Sequence, residues 1–229
     1  MSSPMTPLDA ACYHAAPGFQ VHLETELPAP YRRDGDLLTV MGPPQNAYWT
    51  RNIWTAPFTA EFDSIAEAGR LLRSMQRNWA PYPTRLARRT MLIAGTLPPL
   101  PVKPKIFPFS VPESPMGAFT LLDEHTLMAS ARCSSPWPNG EFEFVEDKEG
   151  PPSRAYRKLW EALAVAGAMP GPGQKCVDAG ACPGGWTWAL AGLGAEVVAI
   201  DRAPIDDRVA AMPGVTFLKH NAFTLKPED

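Results

Sequence analysis

Apolar positions along the chain change period, and each change marks an element. From residue 11 to 27 an apolar stretch runs into Pro17-Gly18-Phe19, after which Val21, Leu23 and Leu27 interleave with polar residues up to Pro28. The pattern predicts a strand, a turn and a short helix. Short apolar runs over 36–41 and 53–62 read as two strands, parted by the turn formers Gly42-Pro43-Pro44. Ser64 with Glu67 three residues on spells a capping box, and Ile65, Ala68, Leu72, Met75 and Trp79 recur at helical spacing until Pro81. Such a stripe belongs to a core. Dense prolines from 98 to 115 predict extended, non-helical chain. Leu127, Ala129, Ala131 and Cys133 then alternate with polar or small residues, as do Phe142 and Phe144, which predicts a hairpin about residues 136–140.

The rhythm shifts after the acidic run 146–149 and the hinge Gly150-Pro151-Pro152, where a domain boundary is expected. Residues 1–150 read as a small α+β region and 151–229 as α/β. Ser153 is expected to cap an amphipathic helix with Tyr156, Leu159, Trp160 and Leu163 on one face and Arg154, Arg157 and Lys158 on the other. Residues 167–173 end it. A short apolar run from Cys176, a turn holding Gly180, Gly184 and Gly185, a compact helix ending at Gly192 and Gly194, and a second apolar run closing on Asp201 together predict a βαβ unit. A helical turn over 207–212, a break at Pro213-Gly214 and a third strand over 215–218, ending near His220-Asn221, complete three strands of a doubly wound, Rossmann-like sheet.

The glycine turn is where the chemistry is expected. Glycines let the backbone approach a ligand with no Cβ in the way, and Asp201 emerges where a strand end meets the ribose hydroxyls of an adenosine. Gly180 is followed three residues later by Pro183-Gly184-Gly185 rather than by a Gly-x-Gly-x-x-Gly pattern, so no pyrophosphate cradle is spelled out. S-adenosylmethionine suits such a loop better than NAD.

Composition adds a charge map. An apolar content of 45% supports a core, and a net charge of −3 excludes a uniformly basic nucleic-acid binder. The total hides segregation, for residues 70–112 hold 8 bases and no acid, while 1–69 and 113–152 hold 8 acids each. Trp79, Tyr82, Phe107 and Phe109 lie among those bases, and cations mixed with rings suit single-stranded RNA. Arg85, Arg88, Arg89, Lys103 and Lys105 are the candidate contacts. A solvated face balanced by the acidic flanks is the alternative. Cys12, Cys133, Cys176 and Cys182 show neither a Cys-x-x-Cys pair nor a Cys/His zinc pattern, so free thiols in a reducing cytoplasm and no metal are expected. No leader and no bilayer-length apolar run are seen, and no membrane partner is expected.

Two motifs in order carry a family resemblance. Ser153-Arg154-Ala155-Tyr156-Arg157-Lys158-Leu159, followed by Asp178-Ala179-Gly180-Ala181-Cys182-Pro183-Gly184-Gly185-Trp186, resembles the FtsJ-like family of S-adenosylmethionine-dependent RNA ribose 2′-O-methyltransferases. The wording Cys-Pro-Gly-Gly-Trp-Thr-Trp is similar to the family's large-subunit ribosomal RNA methyltransferase M group, which methylates a cytidine ribose of 23S RNA. Pro17-Gly18-Phe19 is similar to the opening of that group's RNA-binding region, which includes a THUMP domain, and 1–150 would be a degenerate form of it. The resemblance implies S-adenosylmethionine held by Ala155, Asp178, Gly180, Cys182, Pro183, Gly184, Gly185, Trp186, Asp201 and Asn221, the last standing where the family commonly has Asp. It also implies Lys158 as the first member of a catalytic Lys-Asp-Lys-Glu set, with ribosomal RNA as partner and a monomeric complete protein. The other three members are expected beyond Asp229, so the 229-residue chain is expected to be C-terminally truncated and inactive. A non-catalytic RNA-binding protein on a nucleotide-binding-like fold, and an NAD-dependent oxidoreductase, are the competing readings.

Overall fold

A computed structural model describes residues 5–30, 32–100 and 103–225. The chain forms two units, one of Met1–Lys103 with Pro112–Phe142 and one of Pro104–Val111 with Glu143–Asp229. Positions 226–229, at the expected stop, and 101–102, in the proline-rich stretch, lie outside the described residues.

The first unit holds two sheets. In the four-stranded one, β3 (Arg32–Asp34), β4 (Leu37–Met41), β2 (Ala10–Ala15) and β5 (Thr50–Trp54) lie in that order, all antiparallel. The five-stranded one runs β1 (Met5–Pro7), β6 (Pro57–Glu61), β9 (Thr126–Ser130), β8 (Gly117–Leu121), β7 (Trp79–Pro81), with β7 parallel to β8 and the other pairs antiparallel.

Period-two alternation sends neighbouring residues into different cores. Ala11, Tyr13, Leu38 and Val40 pack outward on Leu23 of α1 (Gln20–Glu26). Cys12, Leu37 and Trp54 turn inward and meet Ala118 and Met128 of the larger sheet. On that sheet's far face Phe58, Ala60, Phe119 and Leu127 pack on Ala68 and Leu72 of α2 (Ile65–Met75) and Ile93 of α3 (Ala87–Ala94). The result is four layers, helix, sheet, sheet, helices, in which both faces of each sheet are covered.

Several expectations need correction here. The run 53–62 is not one strand. It breaks at Thr55-Ala56 into the end of β5 and the start of β6, which belong to different sheets and fill different cores. The helical stripe ends at Met75, and Trp79 opens β7 instead. Its buried indole Nε1 donates to the carbonyls of Leu72 (2.8 Å) and Gln76 (3.1 Å), satisfying oxygens that a helix end leaves open. Ser64 caps the helix as expected, its Oγ accepting from the Glu67 amide at 3.2 Å, while Glu67 Oε2 reaches one residue past the cap to the Asp63 amide at 2.9 Å. The hairpin about 136–140 does not form. β9 pairs with β8 and β6, and Pro138–Gly140 is a single 3-10 turn. Helix α3, unexpected from sequence, lies inside the basic segment.

In the second unit β10 (Lys175–Ala179), β11 (Glu196–Asp201) and β12 (Val215–Lys219) form the parallel sheet expected for 176–218. α5 (Gly185–Gly192) and α6 (Asp207–Ala210) follow the first and second strands, and α4 (Tyr156–Ala166) precedes the sheet. Ala199, Ile205 and Val209 form a core with Trp188, Val215 and Phe217. The unit starts at Glu143, before the hinge at 150, and it takes in a strap from 104–111. The Lys105 amide donates to the Glu143 carbonyl, the Val145 amide donates to that of Lys105, and Phe107 stacks on Trp160 at 4.7 Å. Across the sheet from that core, Val177, Val198, Leu218 and His220 line an open cavity of about 600 Å³. Among the described residues no helix is long and apolar enough to cross a membrane.

Candidate functional site

The candidate loop joins β10 to α5 at the C-terminal ends of the parallel strands. Gly180 takes φ +87°, a conformation that L side chains rarely adopt, and no atom lies within 4 Å of where its Cβ would stand. The amides of Gly180 and Ala181 both donate to the Ile200 carbonyl, at 2.8 and 3.2 Å, which folds the loop back over β11. Asp201 secures it from the other side. Its Oδ2 accepts from the Cys182 amide and its Oδ1 from the Ala203 amide, each at 2.9 Å. These two main-chain donors, Ala203 first, hold the carboxyl below its ordinary range, so it is an anion at neutral pH. The Pro183 carbonyl accepts from the Asp206 amide at 2.9 Å, and Gly184 enters α5 at φ +110°.

The start of α5 packs tightly on the chain ahead of α4. A Cβ on Gly185 would stand 2.6 Å from Ser153 Oγ, and the Trp186 indole donates to the Ala155 carbonyl at 3.0 Å. That carbonyl also receives the Lys158 amide at 3.1 Å, so α4 opens with a tight turn rather than with Ser153 as its cap, and regular helix begins at Tyr156. Lys158 itself is exposed. Arg154 and Arg157 both bond Glu146 Oε1, and the Arg154 side chain holds that carboxyl low. Asp178 is buried, and its Oδ2 receives the Thr187 hydroxyl at 2.7 Å, bracing β10 to α5. Asn221 follows β12, whose Lys219 sits opposite Asp201, and its Oδ1 accepts from the Phe223 amide at 3.2 Å.

Gly180, Cys182, Pro183, Gly184 and Asp201 are thus gathered by direct bonds and turns at one sheet end. Ala155, Gly185 and Trp186 form a second group beside them. Thr187 and Asp206 were not singled out from sequence, and Ser153, read there as a helix cap, packs instead on Gly185. Thr187 could have been found as the hydroxyl one turn into a helix that follows a buried acid. The glycine positions, the open space beside Gly180 and the carboxylate at the strand end fit an adenosine-bearing ligand. Among the described residues no group of three or more His, Cys, Asp or Glu side chains gathers as a metal site would require.

The basic segment is less uniform than its composition. Arg85 is exposed and reaches Asp34 at 3.9 Å, and Arg88 is exposed on α3. Arg89 is half-buried, with its guanidinium carbon 5.5 Å from the centre of the Phe62 ring. Lys103 belongs to the first unit and Lys105 to the strap of the second, so the five cations do not share one unit.

Residues 151–229 match the FtsJ-like methyltransferase family model, and this segment is FtsJ-like as the two motifs implied. The chain is also similar to proteins named ribosomal RNA large subunit methyltransferase M. It is 40% identical over 103 residues to that of Azoarcus sp. (strain BH72), covering 42% of this chain and 28% of the relative. It is 32% identical over 171 residues to that of Xanthomonas oryzae pv. oryzae (strain PXO99A), covering 71% and 45%. Against these two relatives the chain therefore spans less than half of their length.

Proposed function

We propose that the protein is a cytoplasmic S-adenosylmethionine-dependent methyltransferase acting on the ribose 2′-hydroxyl of large-subunit ribosomal RNA. The observation that carries this reading is the ionised Asp201 joined to the Cys182 amide at the open end of two parallel strands. When bound, S-adenosylmethionine supplies an electrophilic methyl group on a sulfonium. Asp201 retains lone pairs to accept from its ribose hydroxyls, while Gly180 and the Cys182 to Gly185 turn leave room for its methionine end. Asn221 would accept from the adenine amino group through its amide oxygen. Lys158, exposed one turn into α4, would hold the substrate hydroxyl and help draw off its proton. Arg85, Arg88 and Lys103 would meet RNA phosphates, with Arg89 held back by its packing on Phe62.

Titration calorimetry of the 229-residue chain with S-adenosylmethionine, its demethylated product and NAD tests the reading. Binding of the first two and not of NAD is expected, and Asp201→Ala should weaken it by roughly tenfold or more, the loss of a hydrogen bond to a charged group. Preference for NAD, or unchanged affinity in the variant, would overturn it.

A further inference from the structure

Trp186 stands where the glycine loop meets the helix that carries Lys158. It is the second residue of α5, directly after the Gly184-Gly185 turn. Although 42% of its surface is exposed, its indole nitrogen is anchored, donating to the Ala155 carbonyl at 3.0 Å. The same oxygen accepts the Lys158 amide at 3.1 Å. One carbonyl, with both of its lone pairs engaged, thus joins the loop to the backbone of Lys158.

Neither partner needs the other for its own sake. The Ala155 carbonyl is already satisfied by the Lys158 amide, and a half-exposed indole can donate to water instead. Nor is the bond what brings the two helices together. Trp188, two residues on, meets Tyr156 with ring centres 5.3 Å apart and Trp160 at 6.1 Å. Apolar packing of that kind is non-directional, so it holds α5 against α4 without fixing the turn on which Lys158 sits. Two closer contacts fix that turn. Ser153 lies so near α5 that a Cβ on Gly185 would stand 2.6 Å from its Oγ, and the Trp186 bond, a directional contact, holds the Ala155 carbonyl from the side of the loop.

We propose, resting on the cofactor reading and on Lys158 as the group at the substrate hydroxyl, that Trp186 is a positioning residue, which acts through the Ala155 carbonyl to hold Lys158 beside the transferable methyl group. S-adenosylmethionine and its demethylated product differ only in that methyl and the positive charge it places on sulfur. A Lys158 cation held there disfavours the charged ligand, by roughly threefold or more for two nearby unit charges even at the dielectric of water. Any contact of the Trp186 ring with the parts the two ligands share cancels in the ratio of their affinities. Titration calorimetry of the full chain with each ligand gives this ratio for the wild type, Lys158→Met, Trp186→Phe and the double variant. The wild type should favour the product by roughly threefold or more, and each single variant should lose most of that preference. The double variant should lose no more than either, as for two residues acting along one path. Circular dichroism checks folding, and Trp186→Tyr, which likewise lacks the indole donor, takes the place of Trp186→Phe if that variant does not fold. Wild-type preference in folded Trp186→Phe, with Lys158→Met having lost it, overturns the positioning role and leaves the cofactor reading standing. A preference that grows in Trp186→Phe puts the ring itself on the sulfonium and also overturns it. An unchanged ratio in Lys158→Met removes Lys158 from the methyl group and the positioning role with it, whereas binding of neither ligand by the wild type overturns the cofactor reading as well.

Discussion

In the first unit each sheet has both faces covered, α1 on one side, α2 and α3 on the other, and sheet against sheet between them. In the second, α5 and α6 cover one face of the three-stranded sheet while Val177 on the other remains 64% exposed. The first unit is specified mainly by packing, because alternate residues of almost every strand have a core to enter. The functional end of the second is specified by hydrogen bonds of polar side chains, with Asp201 and Asn221 each holding a turn through main-chain amides and Asp178 bracing β10 to α5 through the Thr187 hydroxyl. Packing tolerates no lost volume, whereas polar pinning leaves the surrounding surface open to a ligand.

The largest expected effect breaks the comparison if it fails. Phe119→Ala, at a fully buried position, should cost the first unit about 3–5 kcal/mol, while Val177→Thr in the second should stay within about 0.5 kcal/mol. Urea unfolding of both variants measures this, and comparable losses would mean that Val177 is buried in solution.

A buried polar feature of the first unit gives the next effect. Arg51 Nη2 donates to His14 Nε2 at 2.9 Å, leaving the proton on Nδ1, which has no partner among the described residues. Burial, followed by the Arg51 charge, pushes the imidazole down to about 3. The unfolded chain, with a histidine near the ordinary value of about 6.5, therefore takes up the proton first as pH falls. Stability is complete above about pH 6.5 and declines below it by about 1.4 kcal/mol per pH unit. Urea midpoints at pH 7, 6 and 5 should follow that slope, and His14→Gln should flatten it.

A smaller effect sharpens the contrast from the side of the second unit. Thr187→Val keeps the shape but leaves the Asp178 carboxylate without its hydroxyl donor, at a cost of about 1–3 kcal/mol. Thermal melting of this variant should show the loss, and a neutral result would mean that water replaces the hydroxyl.

Legibility in the sequence followed the same division between signals. The βαβ unit could be read because its strands, glycines and terminal acid are consecutive in the chain, and so could the helix cap at Ser64. β8 escaped notice because all five of its residues are buried, so it shows no alternation. Trp79 was drawn into a helix because its spacing fits one, whereas Gln76 leaves the helix with an extended backbone and the indole folds back. The brace between Asp178 and Thr187, and the division of Lys103 from Lys105, depend on contacts that no local pattern encodes. Prolines announced extended chain at 104–111 but not that it would bond to 143–145.

That strap also governs how the chain can be divided. The backbone passes from the first unit to the second at 103–104, returns at 111–112 and leaves again at 142–143. A fragment starting at the Gly-Pro-Pro hinge would lack the backbone bonded to Glu143 and Val145 and would bare the face of Trp160 on which Phe107 lies. The second unit is also closed by partners almost forty residues apart, Lys105 and Glu143. Closing a loop of that length costs chain entropy in the unfolded chain. Truncations intended to isolate a methyltransferase-like fragment would therefore need to retain 104–142 or supply the strap as a separate peptide.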